Sequence, residues 1–246
     1  MLTPLTWLHT LVTLFCDSRQ SRLTTFQSER IATVKMKERT QSIGEEIANS
    51  VSHGVALLAA IVAVPFLISA ERHPGISGIV GAGAFALTMV LLYLTSTLYH
   101  GLPASRAKRV IEKLDHGAIY LFIAGSYTPF ALGALSDPWV CTLFVIIWSA
   151  AILGAALKAF DFLSHPWLST GLYLVMGWIV LIAAVPLVER VPAVVDELLV
   201  AGGIAYTAGV VFFLLDSRLR YSHTVWHCFV VVGTGCHYFA VLDYAS

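Results

Sequence analysis

The chain is predicted to be an all-α integral membrane protein, a seven-transmembrane helix bundle with its N-terminus in the cytoplasm and its C-terminus outside. Three observations carry that prediction: the composition, the number of apolar runs of spanning length, and the distribution of Lys and Arg. Of 246 residues, 57% are hydrophobic and only 12% charged, and the mean hydropathy is +0.78. That is more apolar surface than a soluble domain of this length buries. A helix needs about 20 mostly apolar residues to cross ~30 Å of hydrocarbon. The linkers between such runs are short, polar or marked by Pro, so no second domain fits between spans.

The runs that qualify lie at 47–69, 77–99, 115–135, 139–157, 169–188, 196–215 and 223–242. ERHPG at 71–75 ends the first, GLPASRAKR at 101–109 the second and SDP at 136–138 the third. SHP at 164–166, ERVP at 189–192 and DSRLRYS at 216–222 close the next three. The Gly-rich GISGIVGAGAF at the start of the second span permits close helix contact. Tyr127–Thr128–Pro129 predicts a kink in the third, because Pro removes a backbone donor and its ring crowds the preceding turn. Trp139, Trp148, Trp167, Trp178 and Trp226 are read mostly as interfacial anchors near span ends. There is no internal repeat or low-complexity tract.

A net charge of zero hides a strong asymmetry. Six basic residues precede the first span (Arg19, Arg22, Arg30, Lys35, Lys37, Arg39) and four occupy the second linker (Arg106, Lys108, Arg109, Lys113). Lys158, Arg218 and Arg220 fall on the same side by alternation, and only Arg72 and Arg190 on the other. The excess of Lys and Arg marks the cytoplasmic face. This orientation is opposite to that of G-protein-coupled receptors and microbial rhodopsins, and the seventh span has no Lys for a retinal Schiff base. The expected setting is the cell membrane, multi-pass (the inner membrane in a Gram-negative source), with lipid as the partner and no nucleic acid.

Residues 1–46 are expected to form a cytoplasmic N-terminal segment, 47–242 the membrane domain and 243–246 an external tail. MLTPLTWLHTLVTLF is apolar but short, and lacks the basic start and small-residue cleavage site of a signal peptide. Residues 1–35 stand either as a start-site extension ahead of Met36 or as a loosely interfacial or disordered tail. Cys16, Cys141, Cys228 and Cys236 form no CxxC pair and read as small packing residues.

A polar or ionisable residue inside a transmembrane helix is costly and marks a functional position. Here several gather at one level. The second span ends in STLYH, which puts Ser96 and His100 four residues apart on one helical face. The third opens with LDHG, giving Asp115 and His116, about 100° apart around the helix. The seventh opens with HTVWH, and the i, i+4 spacing of His223 and His227 lets two imidazoles grip one metal. Three neutral imidazoles with an open fourth position make a catalytic zinc shell, with Asp115 suited to accept a proton and Ser96 to orient water or a substrate carbonyl. A lone HxxxH is weak; the convergence of three helices at the cytoplasmic level strengthens it.

Ser96 to His100, Asp115 within KLDHGAIYL, HxxxH at 223–227, GEEIANSVSHG at 44–54 and AGSYTPF at 124–130 closely resemble the hemolysin III family, the bacterial branch of the progestin and adipoQ receptors. The resemblance covers Met36 to Leu242 and implies a seven-helix bundle with zinc held by His100, His223 and His227, and Asp115 and Ser96 in the catalytic or water-holding shell. The family looks related to alkaline ceramidases, which implies a zinc-dependent hydrolase of lipid amides or esters. Two alternatives stand beside it: a receptor-like regulator of membrane state with structural zinc, and a haemolytic membrane protein. Among the other polar residues, Asn49, Ser52 and His53 read as a shell around the metal or as structural hydrogen-bonding groups. Glu45 and Glu46 read as solvated acids matched to the helix dipole, and His237 as a poor ligand, about 15 Å deeper than His227.

Overall fold

The computed structural model describes residues 39–72, 76–134, 136–163, 165–183 and 191–246. Gln41–Ser246 forms one compact unit. Residues 1–35 lie outside the described residues. Seven α-helices account for the regular structure among the described residues, with no strand: α1 (Ile43–Ala70), α2 (Ile76–Gly101), α3 (Arg106–Gly133), α4 (Pro138–Ala159), α5 (Pro166–Ala183), α6 (Ala193–Leu214) and α7 (Ser222–Ala245). Five of them (α1, α2, α4, α6 and α7) are long and apolar enough to cross a membrane. Residues 243–245, expected as tail, continue α7.

The helix starts follow from local chemistry. Ser42 caps α1 in a capping box, its hydroxyl accepting from the Glu45 amide while the Glu45 carboxylate accepts from the Ser42 backbone. Asp137 caps α4, whose first residue is Pro138. The third helix begins nine residues before the apolar run does, at Arg106, because Ser105 caps it and RAKRVIEKL is a good helix former although it is charged. Apolar length alone does not register these two charged turns. α5 carries a short apolar stretch, Trp167–Ile179.

Consecutive helices pack side by side, and α1 closes back against α7. α3 is the most enclosed helix, touching α2, α4, α5 and α7, with thirteen buried residues from Asp115 to Ala131. The outer surface is apolar: Leu58, Val62, Phe66, Leu87, Val145, Leu153, Val211 and Phe239 are all exposed. The interior holds Glu45, Asn49, His53, Ser96, His100, Asp115 and His227. Apolar residues outside and polar residues inside is the distribution that a lipid solvent selects.

Close backbone approach holds the bundle where side chains are small. A Cβ on Gly81 of α2 would stand 2.8 Å from the Cα of Pro129 in α3, so Gly81 admits the Pro-bearing turn. Of the tryptophans read as anchors, Trp139 and Trp167 are exposed, but Trp148 and Trp178 turn inward. Their indole N–H groups donate to Thr128 Oγ1 at 3.1 Å and Thr207 Oγ1 at 3.0 Å. Interhelical bonds of this kind contribute about 0.6 kcal/mol each in a bilayer.

Candidate metal centre

One end of the bundle gathers the polar residues. His100 ends α2, and His223 and His227 occupy the first two turns of α7. One ring nitrogen from each of the three lies within 4.8 Å of the others. The ring centroids are 5.0 Å apart for His100–His223, 5.1 Å for His100–His227 and 4.7 Å for His223–His227. The HxxxH spacing supplies two of these groups from one helix face, and the packing of α2 near α7 supplies the third.

The Nδ1 atoms of His100 and His227 are held from α1, while His223 Nδ1 lies 3.4 Å from Asp216 Oδ2. Glu46 Oε2 accepts from His100 Nδ1 at 2.8 Å, while Glu46 Oε1 accepts from Lys108 Nζ at 2.9 Å. This directs the lone pair of His100 to Nε2, a buried atom with no hydrogen-bond partner. The Ser52 hydroxyl donates to the Asn49 carbonyl at 2.8 Å. Its oxygen is therefore left to accept from His227 Nδ1 at 3.0 Å, and the Asn49 carbonyl also accepts from that nitrogen at 3.2 Å. His227 is thereby set with its lone pair on Nε2. His53 stacks flat against His227, centroids 3.6 Å apart. Two imidazoles with held Nδ1 atoms, a third beside them and an orphaned buried Nε2 fit a divalent metal that favours nitrogen ligands.

The approach of α7 is also set from α1. Tyr221, ahead of His223, has a left-handed backbone (φ 58°), a conformation that costs a non-glycine residue about 1–2 kcal/mol. The buried Glu45 carboxylate accepts from its amide at 2.9 Å. Asn49 Oδ1 accepts from the Thr224 hydroxyl, its Nδ2 donates to Gln41 Oε1 at 2.8 Å, and Gln41 Nε2 donates to Asp216 at 2.8 Å.

Ser96 and Asp115 are both buried beside this cluster. Ser96 Oγ lies 2.7 Å from His53 Nδ1, and the Asp115 carboxyl stands next to the Ser96 hydroxyl. Ser96, Asp115, His223, His227 and His53 line one cavity of about 190 Å³. It runs along α3 from Asp115 to Phe130 and along α7 from His223 to His237, a length of about 20 Å at 1.5 Å per residue. Between the ends its wall is mostly apolar, with Ile119, Phe122, Leu199 and Val230 among its residues and Ser126 and Thr207 as polar exceptions. His116 also lines the cavity but does not join the three histidines, and His237 sits at the far end with Tyr206 edge-on at 5.4 Å.

The residues least legible beforehand are Glu45 and Glu46. Both were expected to be solvated, but one is buried and the other spans His100 and Lys108. The available signal was spacing: Glu46, Asn49 and His53 recur at i, i+3, i+7 on an otherwise apolar helix, which is one face.

Residues 41–238 match the family described as haemolysin-III related. The chain is 41% identical over 213 residues to hemolysin-3 of Bacillus cereus, covering 86% of this chain and 97% of that protein. It is 42% identical over 204 residues to a hemolysin-3 homolog of Bacillus subtilis (strain 168), covering 82% and 95%. A more distant similarity, 28% over 209 residues covering 81% and 84%, joins it to the human monocyte to macrophage differentiation factor. The chain belongs to the haemolysin-III related family.

Proposed function

We propose that the protein is a zinc-dependent hydrolase acting on an amide or ester of a membrane lipid, with zinc held by His100, His223 and His227. The observation that carries this reading is that His223 and His227 line one end of a long, mostly apolar cavity with a buried carboxyl and a hydroxyl, and that His100 brings a third ring nitrogen within 4.8 Å of theirs. A zinc ion with three imidazole ligands supplies Lewis acidity and lowers the pKa of a coordinated water toward ~7. The apolar wall between Ile119 and Val230 takes the acyl chain and aligns its carbonyl with the polar end. Asp115 accepts the proton released from water and returns it to the leaving group. Ser96, beside His53 and the Asp115 carboxyl, turns its single hydroxyl proton toward the substrate carbonyl when substrate is bound. Glu46 and Asn49 hold the ligand imidazoles in the tautomer that presents Nε2.

The basic residues Arg106, Lys108, Arg109, Lys113 and Lys158 lie at the same end of the bundle as the histidines, which supports a cytoplasmic position for the site and an outward C-terminus. The deciding experiment is incubation of purified, zinc-analysed protein with a panel of lipid amides and esters, with and without chelator. Chelator-sensitive release of fatty acid is expected. Stoichiometric zinc without hydrolysis of any panel member would sink the hydrolase reading and leave zinc in a structural role, as in a regulator of membrane state. The name hemolysin-3 belongs to the relatives; dye leakage from liposomes tests lysis separately.

A further inference from the structure

A second concavity, of about 560 Å³, opens where the charged start of α3 meets the end of α4. Arg106, Arg109 and Lys113 line it from α3 and Lys158 from α4, against the carboxylates of Glu112 and Asp161. Asp161 is already engaged, accepting from Lys113 Nζ at 2.5 Å. Lys158 donates to the Leu163 carbonyl at 3.2 Å. Arg106 and Arg109 are exposed and have no ion-pair partner among the described residues, so the groove carries a surplus of two positive charges aimed at nothing in the protein.

The groove's depth is marked independently. Phe160 and Phe162, on either side of Asp161, are 73% and 74% exposed, and Trp167 begins the next helix 64% exposed. An exposed Trp at a helix end marks the headgroup level of a bilayer, and the two exposed Phe rings beside it supply apolar surface at that end. Val110 and Leu114, also exposed on α3, continue the apolar surface directly beneath the arginines. Guanidinium groups above an apolar, aromatic-flanked wall match the two parts of an anionic phospholipid, a phosphate and its chains.

We propose that this groove is a binding site for the headgroup of an anionic phospholipid, with Arg106 and Arg109 as the principal phosphate contacts and Lys113 and Lys158 as the flanking charges. His116 forms part of the wall of both the groove and the main cavity. A headgroup seated there lies one side chain away from the buried polar end, yet its binding does not depend on zinc or on hydrolysis.

The test uses the full chain in micelles containing equal phosphatidylglycerol and phosphatidylcholine, with the lipid retained on the protein extracted and quantified. The wild-type protein should retain phosphatidylglycerol preferentially. Each basic side chain near an anionic surface changes the attraction about fivefold, so R106Q/R109Q should lose about 25-fold of that preference. R218Q/R220Q removes two exposed arginines from the α6–α7 connection, outside the groove, and should keep it. No preference in the wild type, or an equal loss in both variants, overturns the site in favour of none or of diffuse attraction to the whole basic face. Glycerol 3-phosphate and inorganic phosphate are added separately; saturable binding of either that displaces the lipid overturns the lipid assignment in favour of a soluble phosphate. If the double variant melts early in phosphatidylcholine alone, R106Q and R109Q are read singly, and no loss in either overturns the proposal.

Discussion

Two histidine side chains bury a nitrogen without a hydrogen-bond partner: His100 Nε2, beside the two histidines that line one end of the main cavity, and His237 Nδ1 at the other end. Around His100, two more imidazoles stand at about one ring's distance, and α1 supplies a carboxylate and a carbonyl that fix which nitrogen faces inward. Around His237 there is an aromatic edge, Tyr206, whose hydroxyl is occupied 3.0 Å from Thr234. Burial is common to the two ends and carries no information about ligation. Each ring also has one hydrogen-bonded side, His237 through the Leu199 backbone, so what separates them is the convergence of imidazoles from two helices and the carboxylate, Glu46, that holds His100.

Zinc content puts both ends on one scale. The largest effect is expected for His100→Ala, His223→Ala or His227→Ala, each of which removes one of the three proposed ligands and should leave little zinc after gentle detergent purification, read by elemental analysis. Zinc occupancy in all three equal to the parent's would return HxxxH to a packing role.

Glu46→Gln comes next. It keeps the shape of the group but removes the charge that holds His100 Nδ1 and pairs with Lys108. Zinc affinity by chelator competition should fall about 10–100-fold. An unchanged affinity would mean that the support from α1 is not what distinguishes this end.

Asp115→Asn is expected to retain zinc much better than any histidine variant while losing about 10²–10⁴-fold in lipid hydrolysis, because the amide is nearly isosteric but is no base. Ser96→Ala should affect zinc less than any histidine change. Loss of metal from Asp115→Asn equal to that from His227→Ala would make the carboxylate a ligand.

The smallest effect belongs to the far end. His237→Ala should leave zinc unchanged, and a drop comparable to that of His100→Ala would collapse the contrast between the two ends.

Much of this architecture was legible along the chain. Apolar runs located the helices because crossing a bilayer imposes a length that few other constraints imitate. HxxxH placed His223 and His227 together because 3.6 residues per turn fixes neighbours four apart. The start of α3 was misplaced because RAKRVIEKL is charged, and charge says where the hydrocarbon ends, not where the helix does. Trp148 and Trp178 were read as anchors, yet their partners Thr128 and Thr207 lie on other helices.

The amino-acid sequence by itself determined the family, the helical membrane class, the pairing of His223 with His227 and of Ser96 with His100 on single faces, and the excess of basic residues at one level. Each is a relation within one helix or a count along the chain, governed by helix periodicity and by transfer into lipid. Only the tertiary structure decided that Glu46 holds His100, that His53 stacks on His227 and reaches Ser96, and that Asp115 opens onto an apolar cavity ending at His237. Those relations depend on how far each helix is rotated about its axis when it packs, and that rotation is set jointly by all the neighbours, including the approach of Gly81 to Pro129.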